Sequence, residues 1–211
     1  MEGVLNMSIK SGVTAGTPAK IPFGAGVYFS GVTYSETIAP AVAEIKAAII
    51  GATQDGGTFT ITPEFFMPEL DGVKVSVKEL QQKVGEKAVL ETSFAELTAE
   101  LMKMMAIAKV SASEDGDYDV VTSAELGAGH FYEGFGYYGQ FLDGRPVIII
   151  FKNALCTSGV ATDNKNKTNS IFKGTFECQS DVEYGVDKLP YAIFIRKAEG
   201  WTAVNAAEAT A

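Results

Sequence analysis

Histidine occurs once in these 211 residues and cysteine twice, and those scarcities exclude more chemistry than any single residue establishes. With His130 alone, no histidine metal cluster can be built, and a Ser-His-Asp or Cys-His relay would have to use a ring set among glycines and aromatics. We read it as structural. Cys156 and Cys178 make no disulfide framework and no CxxC pair, so buried free thiols are expected. Long apolar runs are missing too. None approaches the ~20 residues that cross a bilayer, and the N-terminus has no charged start, apolar core and small-residue cleavage site. The expectation is a soluble protein made in a cytoplasm, with no membrane partner. Positive charge is in deficit as well: 17 Lys and Arg against 26 Asp and Glu give a net charge of -9, which opposes stable binding to nucleic acid.

What is present reads as a single β-rich domain over 23–197, preceded by an arm over 1–22 and followed by an alanine-rich mobile tail over 198–211. The organising stretch is Gly56 to Val110. Phe59 and Ile61 alternate with Thr58, Thr60 and Thr62, the pattern of a half-buried strand. Thr62 to Gly72 reads as a bent loop, with Pro63, Pro68 and Asp71-Gly72 as its turn residues. Val73, Val75 and Val77 then alternate against Lys74, Ser76 and Lys78 as a second strand, and Ala88 to Thr92 as a third. Ser93 and Glu96 have capping-box spacing, so a helix is predicted from there, with Phe94, Leu97, Leu101, Met104, Met105 and Ala108 along one apolar stripe.

Elsewhere, Gly26 to Ser30 reads as a short strand bounded by glycines. Thr37 to Ile50 is ambiguous between a helix carrying Ile38, Val42, Ile45 and Ile49 and a strand starting at Ile49-Ile50. Ser111 to Gly129 reads as an acidic loop, and His130 to Phe141 as a strand. Val147 to Phe151 is a continuous apolar run too short for a helix, hence a central strand buried on both faces. Asp163 to Ser170 is a polar turn. Phe172, Phe176 and Cys178 alternate on one return strand, and Tyr191, Ile193 and Ile195 on the last. The fold class is mainly β with one flanking helix (α+β), either two packed antiparallel sheets in a β-sandwich or a partly closed barrel.

No motif here carries catalysis. Gly134, Gly136 and Gly139 spell GxGxxG, but a dinucleotide site needs a helix after it, and Asp143-Gly144-Arg145-Pro146 follows instead. Asp115, Asp117 and Asp119 alternate like calcium-loop ligands, yet Val120 and Leu126 stand where that loop needs its glycine and glutamate. The expectation is a non-enzyme without metal or cofactor.

Three segments resemble the major tail tube proteins of long, non-contractile-tailed bacteriophages. They are Ile50 to Phe59 (IGATQDGGTF), with the later Asp71-Gly72; Leu90 to Leu101 (LETSFAELTAEL); and Arg145 to Leu155 (RPVIIIFKNAL), with the later Leu189 to Phe194 (LPYAIF). The resemblance implies a structural virion subunit. Hexameric rings would stack into a hollow tube around a tape measure protein, bounded by tail tip and tail terminator proteins, with sheets of neighbouring subunits completing a barrel. Assembly would occur in the bacterial host cytoplasm, and phage DNA would pass through without stable binding. Subunit or ring contacts are expected at Glu64, Phe65, Phe66, Met67, Glu69, Leu70 and Asp71, where adjacent apolar residues stand too exposed for a monomer. The net charge further suggests a lumen richer in carboxylates than in lysines, which a basic lumen would refute. The competing reading is a ligand-binding β-sandwich, a virion decoration or carbohydrate-binding module, with Phe131 to Tyr138 stacking on sugar rings.

Overall fold

A computed structural model describes residue 17 and residues 20–162, 169–199 and 201. The arm over 1–22 and the tail over 198–211 therefore lie largely outside the described residues, as does most of the Asp163–Ser170 turn. Strand β1 (Pro22–Phe29) already begins at the boundary assigned to the arm. It is followed by helix α1 (Val42–Ala47), β2 (Thr53–Phe66), β3 (Gln82–Phe94) and helix α2 (Ala99–Ala106). Then come β4 (Ala108–Ala112), β5 (Asp119–Ser123), β6 (Tyr132–Phe141), β7 (Pro146–Cys156), β8 (Ala161–Thr162), β9 (Phe172–Gln179) and β10 (Tyr191–Ile195). The fold is mainly β.

Eight strands form one antiparallel sheet in the order β1-β6-β7-β9-β3-β2, with β10 beside β7 and β8 beside β9, while β4 and β5 form a separate small sheet. The two ends of the large sheet curl together. Tyr28 of β1 donates its hydroxyl to the carbonyl of Glu91 at 3.0 Å, and Ile50, on the way into β2, donates its N–H to the Tyr28 carbonyl at 3.0 Å. Gly57 permits this approach, because a Cβ there would stand 1.8 Å from the Tyr28 hydroxyl. The result is a partly closed barrel.

Inside it, Phe135 stacks on Phe176 with centroids 4.2 Å apart, and Phe94 meets Phe176 edge-on at 6.5 Å. Leu101 and Met105 of α2 join the same cluster. The apolar run of β7 is buried on both faces, as its composition predicts. Phe151 and Ile149 face this interior, while Ile148 and Ile150 join a second cluster with Phe29 and Ile45.

Several local expectations give way. The helix starts at Ala99, not after Ser93. Thr98 caps it by accepting the Leu101 N–H at 3.1 Å, and Ser93 and Phe94 remain in β3, paired with Lys173 and Phe172. Leu97, assigned to the apolar stripe, is consequently exposed, whereas Met105 is buried. Ile107 takes a left-handed conformation (φ 50°) and ends the helix, so Ala108 opens a strand.

The Val73–Val77 run is no strand: Val75 is 72% exposed, and β2 pairs with β3 instead. The acidic loop contains the β4–β5 hairpin, with Val110 opposite Val121. In the ambiguous Thr37–Ile50 segment both alternatives hold in part. Val42–Ala47 is helical with Ile45 buried, Ile38 stays exposed, and Ile49 bridges to Phe29. On β10 it is Ala192 and Phe194 that join the second cluster, leaving Ile193 and Ile195 facing outward.

Candidate assembly surface

The segment expected to make subunit contacts is the end of a long hairpin. Its first part belongs to β2, not to a loop. Pro63, Glu64, Phe65 and Phe66 pair with Glu86, Gly85, Lys83 and Gln82, and the turn proper starts at Met67. Pro63 is tolerated because β2 ends the strand order, so its missing N–H faces no ladder partner among the described residues. Toward the barrel β2 is half-buried, with Phe59 and Ile61 packed on the main cluster. Toward the tip that packing ends: Phe65 is 58% exposed and Phe66 54%. Leu70, Glu64, Glu69 and Asp71 are exposed as well, while Met67 is half-buried. Beside the exposed end, on β3, Lys83 opposite Phe65 pairs with Glu86 at 2.8 Å, and Glu86 also accepts the Tyr191 hydroxyl at 3.4 Å.

A second apolar surface lies beside β10, where a groove of about 860 Å³ is lined by the approach to α1, by Pro146 and Ile148, and by Ile193 to Lys197 and Trp201. No expectation drawn from the sequence pointed to it. The outward pattern of Ile193 and Ile195 was visible there, but it reads equally as a core face until the pairing of β10 with β7 is known.

The other motifs have structural work. Gly134, Gly136 and Gly139 all lie within β6, which runs on as strand. A Cβ on Gly136 would meet the Ile149 carbonyl at 2.2 Å and the Phe29 ring at 2.5 Å, so close packing requires that glycine. Asp115 sits in the turn between β4 and β5, where it accepts from the Ser113 hydroxyl and from the Asp117 N–H, and the first of these bonds holds its carboxyl below the usual range.

His130 Nδ1 accepts the Gly127 N–H at 3.1 Å, which leaves Nε2 to donate to the Ala108 carbonyl at 3.4 Å. The ring thus ties a turn to β4. Cys156 and Cys178 are buried free thiols, and burial pushes the Cys178 thiol up to about 12. The aromatic stretch Phe131 to Tyr138 is no open stacking platform: Phe135 is wholly buried, and Tyr132 and Tyr137 pack on the main cluster. Among the described residues, no helix is long and apolar enough to cross a membrane.

No family model matches this chain, and no curated protein sequence matches it. Among solved structures, a chain of the "Virion of native gene transfer agent (GTA) particle" is similar at 8% identity with a TM-score of 0.40, covering 80% of this chain and 95% of that chain. A likeness that distant carries no argument about what this chain does.

Proposed function

We propose that this chain is the major tail tube subunit of a tailed bacteriophage, a structural protein that associates with itself as hexameric rings stacked into a hollow tube for genome passage. The observation that carries the reading is the β2–β3 hairpin, which takes two adjacent phenylalanines, each more than half exposed, to the end of an edge strand. Apolar side chains placed so are stable in water only at a cost that a neighbouring copy removes. The resemblance supports it. Its three segments fall on the approach to β2 and its first half, on the passage from β3 to α2, and on β7 with β10. Tape measure, tail tip and tail terminator proteins would be the remaining partners. DNA would pass without stable binding, in keeping with a net charge of -9.

The test is negative-stain electron microscopy of the concentrated protein, alone and with a tail-tip complex. Hollow tubes or six-fold rings are expected, and Phe65→Ser with Phe66→Ser should leave a folded protein that forms neither. Monodisperse small particles in both samples would sink the reading. The ligand-binding alternative loses its main support, since the aromatics it would use are turned into the core.

A further inference from the structure

Among the described residues one charged side chain is buried, that of Arg145, at 6% exposure. A guanidinium is almost never taken out of water unless the fold gives it partners. Here the partners come from two separate stretches of chain. Within the β6–β7 turn, Arg145 Nε donates to the Asp143 carboxylate at 2.6 Å, and the guanidinium carbon lies 4.7 Å from the centre of the Phe141 ring. Arg145 Nη1 donates to the main-chain carbonyl of Arg196 at 2.7 Å, 51 residues away and just past the end of β10.

The stretch that begins at Arg196 has no core burial to fix it. Arg196, Lys197, Ala198 and Glu199 are all exposed. The Arg196 N–H donates to the Pro146 carbonyl at 3.2 Å, and the next anchor is the half-buried Trp201, whose indole N–H donates to the Asp143 carbonyl at 3.2 Å. Both anchors return to the turn that Arg145 organises. The same stretch is also one wall of the groove beside β10, through Arg196, Lys197, Glu199 and Trp201.

We propose that the stretch after β10, anchored at Arg196 and Trp201, is a strap that docks on the β6–β7 turn or lifts off it as a unit while the barrel stays folded, with Arg145 as its latch. The groove has its second wall only while the strap is docked. Lifting it strips a buried guanidinium of an acceptor, and a hydrogen bond to a charged group weighs about tenfold or more on the ratio of docked to lifted forms. The inference concerns one chain by itself, so it stands or falls separately from the tail tube reading.

Trp201 is the only tryptophan of the chain, so intrinsic fluorescence reports on the strap alone. In a urea titration of the full-length native protein, Trp201 emission should reach its unfolded value at lower urea than the far-UV circular dichroism does. Coincident transitions would show that the strap unfolds with the barrel, and the proposal would be lost. Arg145→Met keeps an apolar stem on Phe141 and removes the donors. In that variant the Arg196 and Trp201 amides should exchange about tenfold faster or more, with Trp201 emission shifted to the red and the far-UV signal kept. The Leu142 amide is the control, since it bonds the Ile21 carbonyl at 3.1 Å from the same turn without help from the guanidinium. It should keep its native rate. Native rates at Arg196 and Trp201, or an equal rise at Leu142, would show that Arg145 is no latch. Where Arg145→Met fails to fold, the native titration decides alone.

Discussion

Phe176 holds the interior together at the scale of single side chains. It is wholly buried, stacked on Phe135 from β6 and edge-on to Phe94 from β3, so three strands meet on one ring. Phe176→Ala should destabilise the fold by about 3–5 kcal/mol, read as a lower urea midpoint with unchanged slope. A loss below about 1 kcal/mol would mean that the cluster collapses around the gap. The alternation of Phe172, Phe176 and Cys178 made this burial legible in the sequence. The role of Gly136 was not legible, since only the pairing of β6 with both β1 and β7 brings the Phe29 ring and the Ile149 carbonyl against it.

Cys178 adds a pH dependence. Its thiol is raised from an ordinary 9.0 to about 12 by burial, with the Glu177 charge adding to the shift. A raised value in the folded state means that the contribution to stability is intact below pH 9.0 and is lost as pH rises toward about 12. Native protein at pH 8 should therefore leave both thiols unreactive to a thiol reagent until urea unfolds it. Stability should fall more steeply between pH 9 and 11 in the native chain than in Cys178→Ala.

At the scale of elements, the start of α2 separates a sequence signal from its structural outcome. Ser93 and Glu96 have the spacing of a capping box, but Ser93 is held in β3 by pairing with Lys173, and the cap passes to Thr98. Sheet pairing outweighs the cap because it comes with the burial of Phe94, which a helix starting at Ser93 would forfeit. Thr98→Ala should cost about 1 kcal/mol, whereas Ser93→Ala should stay within about 0.5 kcal/mol, both by urea denaturation. The reverse order would restore the earlier start. The same competition explains the Val73–Val77 run. Its alternation is as regular as that of β3, but the long β2 strand extends its ladder along Gln82–Phe94, and the valines are left in the turn. The β4–β5 hairpin escaped notice because its strands show no apolar alternation, Val120 and Val121 falling on opposite faces among polar neighbours, and register without one apolar face is weakly written in sequence.

Across the whole molecule, two distant segments are tied by a set of charges. Glu36 accepts from the Tyr184 hydroxyl and from Lys188 at 3.0 Å, while Lys152 of β7 donates to Asp181 at 2.7 Å. The Tyr184 bond, with Lys188, holds the Glu36 carboxyl below its ordinary 4.5, and Lys152 holds that of Asp181 below 3.8. Depressed values give stability that is present above the unfolded-state values and lost as pH falls through the folded-state ones. Segments 33–38 and 180–188 should thus gain hydrogen exchange below about pH 4, after correction for intrinsic rates, while β6 and β7 stay protected. Uniform exchange across the chain at pH 3.5 would show that these exposed pairs hold nothing, as many surface ion pairs do.

The mainly β class, the doubly buried strand at Val147–Phe151 and the inward face of β9 were legible in the sequence alone. Each follows from a local period or an unbroken apolar run, which burial must respect wherever the strand is placed. Tertiary structure decided which run pairs with which, where α2 begins, why Gly57 and Gly136 must lack a side chain, and that the outer face of β10 lines a groove. Those depend on contacts between residues far apart in the chain. Local periodicity states which side of a strand is apolar; it does not state what will cover that side.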